Sequence, residues 1–181
     1  MDSAFNLPDD GEGYMHWYGN DPYYFDDWGC LEMISMIEAA GRYWYWVKPQ
    51  GRADFCALDI SKGDFSTGEF GGYWSDHYCH RNGCDLDVRY QRKDGKNLPL
   101  DMDTAIDQLD KPNSLTLLRA FSDAQPLHCI IVDYRWIDLE CTREPCPEYI
   151  ILDGGPNTDH SDHIHIGIAQ PPCPDKRGRD R

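Results

Sequence analysis

Apolar residues along the chain follow two rhythms. Between Trp28 and Ala40, Leu31, Ile34 and Ile37 recur at helical spacing with Met33 and Met36 beside them, which predicts a helix with Gly41 as its natural stop. Tyr43 to Val47 and Phe55 to Ile60 read as strands. The first of these runs also has the composition of a sugar-stacking platform, but core packing is the simpler role for it. A loop through Gly63, Gly68, Gly71 and Gly72 then leads into a polar segment rich in histidine.

Beyond that segment, Asp103 is placed to cap a short helix through Leu109. Asn113 is placed to cap another from Ser114 to Phe121, after the Lys111-Pro112 break. His128 to Tyr134 reads as a buried strand. Trp136 to Asn157, with its cysteines, prolines and Gly154-Gly155, reads as irregular before a strand from Asp162 to Ile168. Strands and helices thus mix without βαβ regularity. The fold expected is α+β, a single domain with a central antiparallel sheet, flanking helices and long loops stapled by disulfides. Residues 1–28 read as an extended N-terminal wrap, 29–175 as the domain and 176–181 as a basic tail.

Length and charge narrow the partners. At 181 residues the chain is long enough to bury a core of its own. A net charge of -15 opposes phosphate backbones, so nucleic acid is not an expected partner; the simplest role of the acidity is solubility. No apolar run is long enough to span a bilayer, so membrane insertion is not expected. Eight cysteines, an even number, suit an oxidising compartment and point to a periplasmic or secreted protein. The acidic segment after Met1 lacks the basic and apolar regions of a signal peptide. Export therefore calls for a signal already removed or for another secretion system. Cys141 with Cys146 could close a short loop, and Cys173 could tether the C-terminus.

Five of the seven histidines fall in two segments, Ser75 to Asp87 and Asp159 to His165. Catalytic zinc takes three protein ligands from imidazole and carboxylate and keeps a fourth position for the attacking water. In a strand, His163 and His165 share one face while Ile164 and Ile166 point to the core. The same period puts Asp85 and Asp87 together, with Leu86 and Val88 opposite and Gly83 permitting the bend before them. Cys79 and Cys84 interleave with the histidines, so a Cys/His zinc cluster is a competing reading. His16 and His128 have no motif support.

The pattern His80-x-x-Gly83-x-Asp85-x-Asp87, followed by His160-x-x-His163-x-His165, resembles the penicillin-insensitive murein endopeptidases. These are zinc metallopeptidases of the fold group that includes lysostaphin, D-alanyl-D-alanine carboxypeptidases and the hedgehog signalling domain. The resemblance implies that His80, Asp87 and His165 bind Zn2+. It implies that His163 is the catalytic base or transition-state stabiliser, and that His77 and His160 line the substrate. Asp85 and Asp162 are expected to orient histidines from behind. Tyr78 departs from the small residue the family carries two positions before His80, and Cys79 and Cys84 are extra to the motif, which leaves the bond cleaved open.

The activity implied is hydrolysis of amide bonds in peptidoglycan stem-peptide cross-links by a metal-activated water. Two alternatives stay open: a D-Ala-D-Ala-type carboxypeptidase on the same scaffold, or a non-catalytic zinc-containing binding or signalling module. Stem peptides are the expected partners. An inhibitor or immunity protein is a further one, and the oligomeric state is open.

Overall fold

The computed structural model describes residues 5–8, 10–16, 28–60, 63–64, 69–70, 83–133, 135, 150–153 and 160–168. Four short strands open the chain: β1 (Phe5–Asn6), β2 (Asp10–Gly11), β3 (Tyr14–His16) and β4 (Trp28–Gly29). Helix α1 (Leu31–Val47) follows, then β5 (Phe55–Ala57), the two-residue strands β6 (Gly63–Asp64) and β7 (Glu69–Phe70), and β8 (Asp85–Arg89). The second half holds α2 (Met102–Ala105), a 3₁₀ turn (Ile106–Gln108), α3 (Lys111–Ala124), β9 (Leu127–Asp133), β10 (Ile150–Asp153) and β11 (His163–Ile168). Among the described residues, no helix is long and apolar enough to cross a membrane.

Seven strands form the main sheet, in the order β10-β9-β11-β8-β5-β3-β2. The domain is α+β, but its sheet is mixed and not antiparallel as expected. β9 pairs with β10 in parallel, and β3 with β5 in parallel, while β8, β9 and β11 pair antiparallel. The physical reason lies in the connections. Parallel neighbours need a crossover of a dozen or more residues, and α1 supplies one between β3 and β5, making a βαβ unit. The chain between Asp133 and Ile150 is long enough for the other.

Helix α1 does not stop at Gly41. It continues through Tyr43–Val47, the stretch expected to be a strand, and ends at Lys48, whose N–H bonds to Trp44 O, with Pro49 blocking another turn. Gly41 instead allows close packing: a Cβ there would stand 2.6 Å from Glu12 O and 2.7 Å from Tyr14 Cδ1. Of the aromatic run, Trp44 is 0% exposed and fills the core, whereas Trp46 is 78% exposed, with Tyr43 and Tyr45 also on the surface.

The second half follows its capping chemistry closely, with the caps shifted by a few positions. Asp101, and not Asp103, caps α2 by accepting the Asp103 N–H at 2.8 Å. Asp110, and not Asn113, caps α3, accepting the Asn113 N–H at 3.2 Å, and Pro112 sits in the first turn instead of breaking the helix.

One hydrophobic core lies between the helices and one sheet face. Leu86, Val88, Ile130, Val132, Ile164, Ile166 and Ile168 cover it from the strands, against Met33, Ile37 and Trp44 of α1 and Leu117, Leu118 and Phe121 of α3. Each such side chain contributes about 1.5–3 kcal/mol by leaving water. Phe55 meets Phe121 edge to face at 5.3 Å.

No disulfide staples this core among the described residues. Cys30, Cys56, Cys84 and Cys129 form no S–S bond, and the closest sulfurs, those of Cys30 and Cys84, are 3.3 Å apart. Cys79, Cys141, Cys146 and Cys173 lie outside the described residues.

Candidate metal centre

Strand alternation sends the odd-numbered residues of β8 and β11, and those of β9 from Cys129 onward, to the face away from the helices; a register shift at Gly167/Ile168 leaves Leu127 on the core side. Because β11 is flanked by β8 and β9, two rungs of the ladder define the site. His165 stands level with Asp87 on one side and Ile131 on the other, and Gly167 stands level with Asp85 and Cys129.

His165 is held by both ring nitrogens. Nδ1 is 2.9 Å from Asp87 Oδ1, and Nε2 is 3.1 Å from Asp85 Oδ1, all three residues being buried. Burial opposes a charge on this imidazole, but its hydrogen bonds with Asp85, Asp87 and Cys129 outweigh it and raise the pKa well above the ordinary value. The empty space at Gly167 makes the arrangement possible: a Cβ there would stand 2.8 Å from both Asp85 Oδ1 and Cys129 Sγ. Asp85, Cys129 and His165 consequently form a compact buried triad of potential metal ligands, with donor atoms within 4.8 Å of one another.

His163, two residues earlier on the same face, is more open. Its Nδ1 is 2.8 Å from Asp162 Oδ1, and its Nε2 is 3.6 Å from Asp87 Oδ2. Burial works against its protonation, yet the Asp87 and Asp162 carboxylates prevail and raise its pKa. The hydrogen bond with His163 in turn lowers the Asp162 pKa, against the effect of burial. The His160 ring lies 5.0 Å from that of His163 and 5.8 Å from that of His165.

The turn bearing His160 is pinned from beneath. Tyr90 Oη donates to His160 O at 3.0 Å while accepting the Asp133 N–H at 2.9 Å, and Met102 N–H donates to Ser161 O at 2.8 Å. Arg89, level with His163 on β8, is buried and brings a fixed positive charge to the same face.

Of the residues expected at the site, Asp85, Asp87, His160, Asp162, His163 and His165 are thus gathered in one place. His77 and His80 lie outside the described residues. The donor set suits zinc, since imidazole, carboxylate and thiolate are its usual ligands. His16 is buried near the opposite end of the sheet, with Nε2 2.9 Å from Leu58 O, and His128 is exposed.

No known protein family and no curated protein matches the chain.

Cys129 and Gly167 were not singled out in the sequence. A signal for both was present. The strand from His128 puts Cys129 on the face opposite Ile130, and the alternation through His163 and His165 continues to Gly167. What was missing is the register that sets β9 beside β11.

Proposed function

We propose that the protein is a zinc-dependent peptidoglycan endopeptidase that hydrolyses amide bonds of stem-peptide cross-links in a periplasm or outside the cell. The observation that carries this reading is the meeting of Asp87, His163 and His165 on one sheet face, within the two motifs that resemble murein endopeptidases. In this reading His80, Asp87 and His165 hold the ion. Bound zinc supplies Lewis acidity toward a carbonyl and lowers the pKa of water toward about 7.

The protein's own groups do the rest. Asp85 accepts from Nε2 of His165, which turns Nδ1 toward Asp87 and fixes the ring. Asp162 accepts from Nδ1 of His163 and so leaves Nε2, on the Asp87 side, to take the proton of the attacking water and deliver it to the leaving amine. His160, with His77, flanks the substrate and offers hydrogen bonds to its carboxylate or to the developing oxyanion.

Digestion of purified sacculi tests this. Released peptides should show cut cross-links, the release should stop with a chelator, and added zinc should restore it. Release of terminal D-alanine alone would replace the endopeptidase reading with the carboxypeptidase one. Stoichiometric zinc with no released peptide would overturn catalysis in favour of a binding module.

The buried triad favours a second reading, in which a structural ion sits between Asp85, Cys129 and His165, away from substrate. Metal content separates the two seats. Asp87→Ala should empty the catalytic seat, whereas Cys129→Ser should empty the structural one.

A further inference from the structure

Cys30 and Cys84 are 54 positions apart in sequence, yet their sulfurs lie 3.3 Å from each other, with the Cys84 thiol donating to Cys30. Backbone hydrogen bonds fix both partners. The Cys30 N–H donates to Gly83 O at 3.0 Å, and Cys84 O accepts the Ile168 N–H from the end of β11, also at 3.0 Å. Gly83 takes a φ of 68°, a left-handed conformation that turns the chain so that Cys84 faces α1.

The two thiols differ in exposure and setting. Cys30 is buried at the N-cap of the 17-residue helix α1, where the helix dipole favours a thiolate. The hydrogen bond from Cys84, set against burial, also holds the Cys30 thiol below its ordinary pKa. Cys84 is half-buried, the more open of the two.

We infer that Cys30 and Cys84 are a redox pair that closes into an intramolecular disulfide by exchange with a small-molecule disulfide of the glutathione type. Cys30 sulfur, the one favoured as thiolate, attacks the small disulfide, forming a mixed disulfide and releasing one small thiol. Cys84 sulfur, after giving up its proton, then attacks the Cys30 sulfur, releasing the second. One protein dithiol is oxidised, one small disulfide is reduced to two thiols, and the two protein protons leave with them. The sulfurs at 3.3 Å have only a short way to close to the bonded length of about 2.05 Å.

The bridge would tie the start of α1 to the residue before β8, the strand that carries Asp85 and Asp87. It would also remove freedom from the unfolded chain over a long loop. A rise of about 5–15 °C in the unfolding midpoint is expected from a cross-link of this span in a chain of this size.

The test uses the full chain, reduced and then equilibrated in a glutathione buffer of increasing oxidised fraction. Peptide mapping of the alkylated product should yield the Cys30–Cys84 cross-linked pair, and the unfolding midpoint should rise and return on reduction. In Cys84→Ser, and in Cys30→Ser, whose hydroxyl suits the N-cap position, that rise should be absent. The inference is overturned if both thiols stay open to alkylation, if either cysteine stops at a mixed disulfide with glutathione, or if the rise persists in Cys84→Ser.

Discussion

Gly167 stands level with Asp85 in the ladder, and the space a side chain would take at Gly167 is occupied by the Asp85 carboxylate, 2.8 Å from an ideal Cβ position. The Cys129 sulfur crowds the same point from the other strand. A single methyl group there displaces the carboxylate that holds Nε2 of His165. Gly167→Ala should cost about 1–3 kcal/mol of stability and weaken zinc binding roughly 10- to 100-fold. Urea unfolding and a zinc competition titration check the two effects; unchanged zinc affinity would separate Asp85 from the metal.

His163 offers the cleanest separation of binding from turnover. Its ring lies beside Asp87 without joining the His165 pair. His163→Ala should therefore retain zinc while turnover on sacculi falls by about 10²–10⁴. Metal analysis and muropeptide release, measured on the same preparation, report the two quantities, and full activity in the variant would remove His163 from the mechanism.

Within α1, Gly41 reverses the usual effect of helix propensity. Replacing a helical glycine by alanine ordinarily stabilises by about 1 kcal/mol. Here the new Cβ would meet the Glu12 carbonyl at 2.6 Å, a backbone atom that cannot swing aside. Gly41→Ala should destabilise by about 1–3 kcal/mol, with the earliest loss of hydrogen-exchange protection in β2 and β3. A gain in stability would mean that the hairpin moves away at little cost.

Asp133 predicts an acid-sensitive contribution to stability. Burial raises the pKa of its carboxyl, but hydrogen bonds from the Arg135 guanidinium and backbone outweigh it, and the carboxyl titrates below its ordinary value. The folded protein thus binds this proton less readily than the unfolded chain. The contribution is complete above the unfolded value of about 3.9 and is lost as pH falls through the lower folded value. Asp133→Asn should cost about 1–3 kcal/mol at pH 7, and the difference from wild type should close toward acid pH. Urea midpoints across that range measure it; a difference constant with pH would assign the loss to packing.

Much of the candidate site was legible because a period of two needs no tertiary information. The alternation of Asp85 and Asp87 with Leu86 and Val88, and of His163 and His165 with Ile164 and Ile166, placed donors on one face and core on the other. What local pattern could not supply was partnership. Cys129 joins the group only through the β9–β11 register, and β10 is a short parallel strand whose partner is set by a crossover. Gly41 misled for a related reason, because its small size serves the Glu12–Tyr14 chain packed against it, a contact invisible along the helix itself. Tyr43 and Trp46, exposed on the last turns of α1, likewise show that an aromatic run is not necessarily a strand when the helix beneath it needs only Trp44.

β11 has hydrogen-bonded neighbours on both sides, so its donors ride on backbone that cannot shift without breaking two ladders at once. The three strands therefore behave as a fixed rack in which chemistry is exchanged by changing single side chains. Ile131, level with His165 and partly open to solvent, is the unused slot on its rung. A histidine or carboxylate installed there would add a donor beside the Asp87–His165 pair with little call on the backbone, making the sheet a ready frame for redesigning what the centre holds.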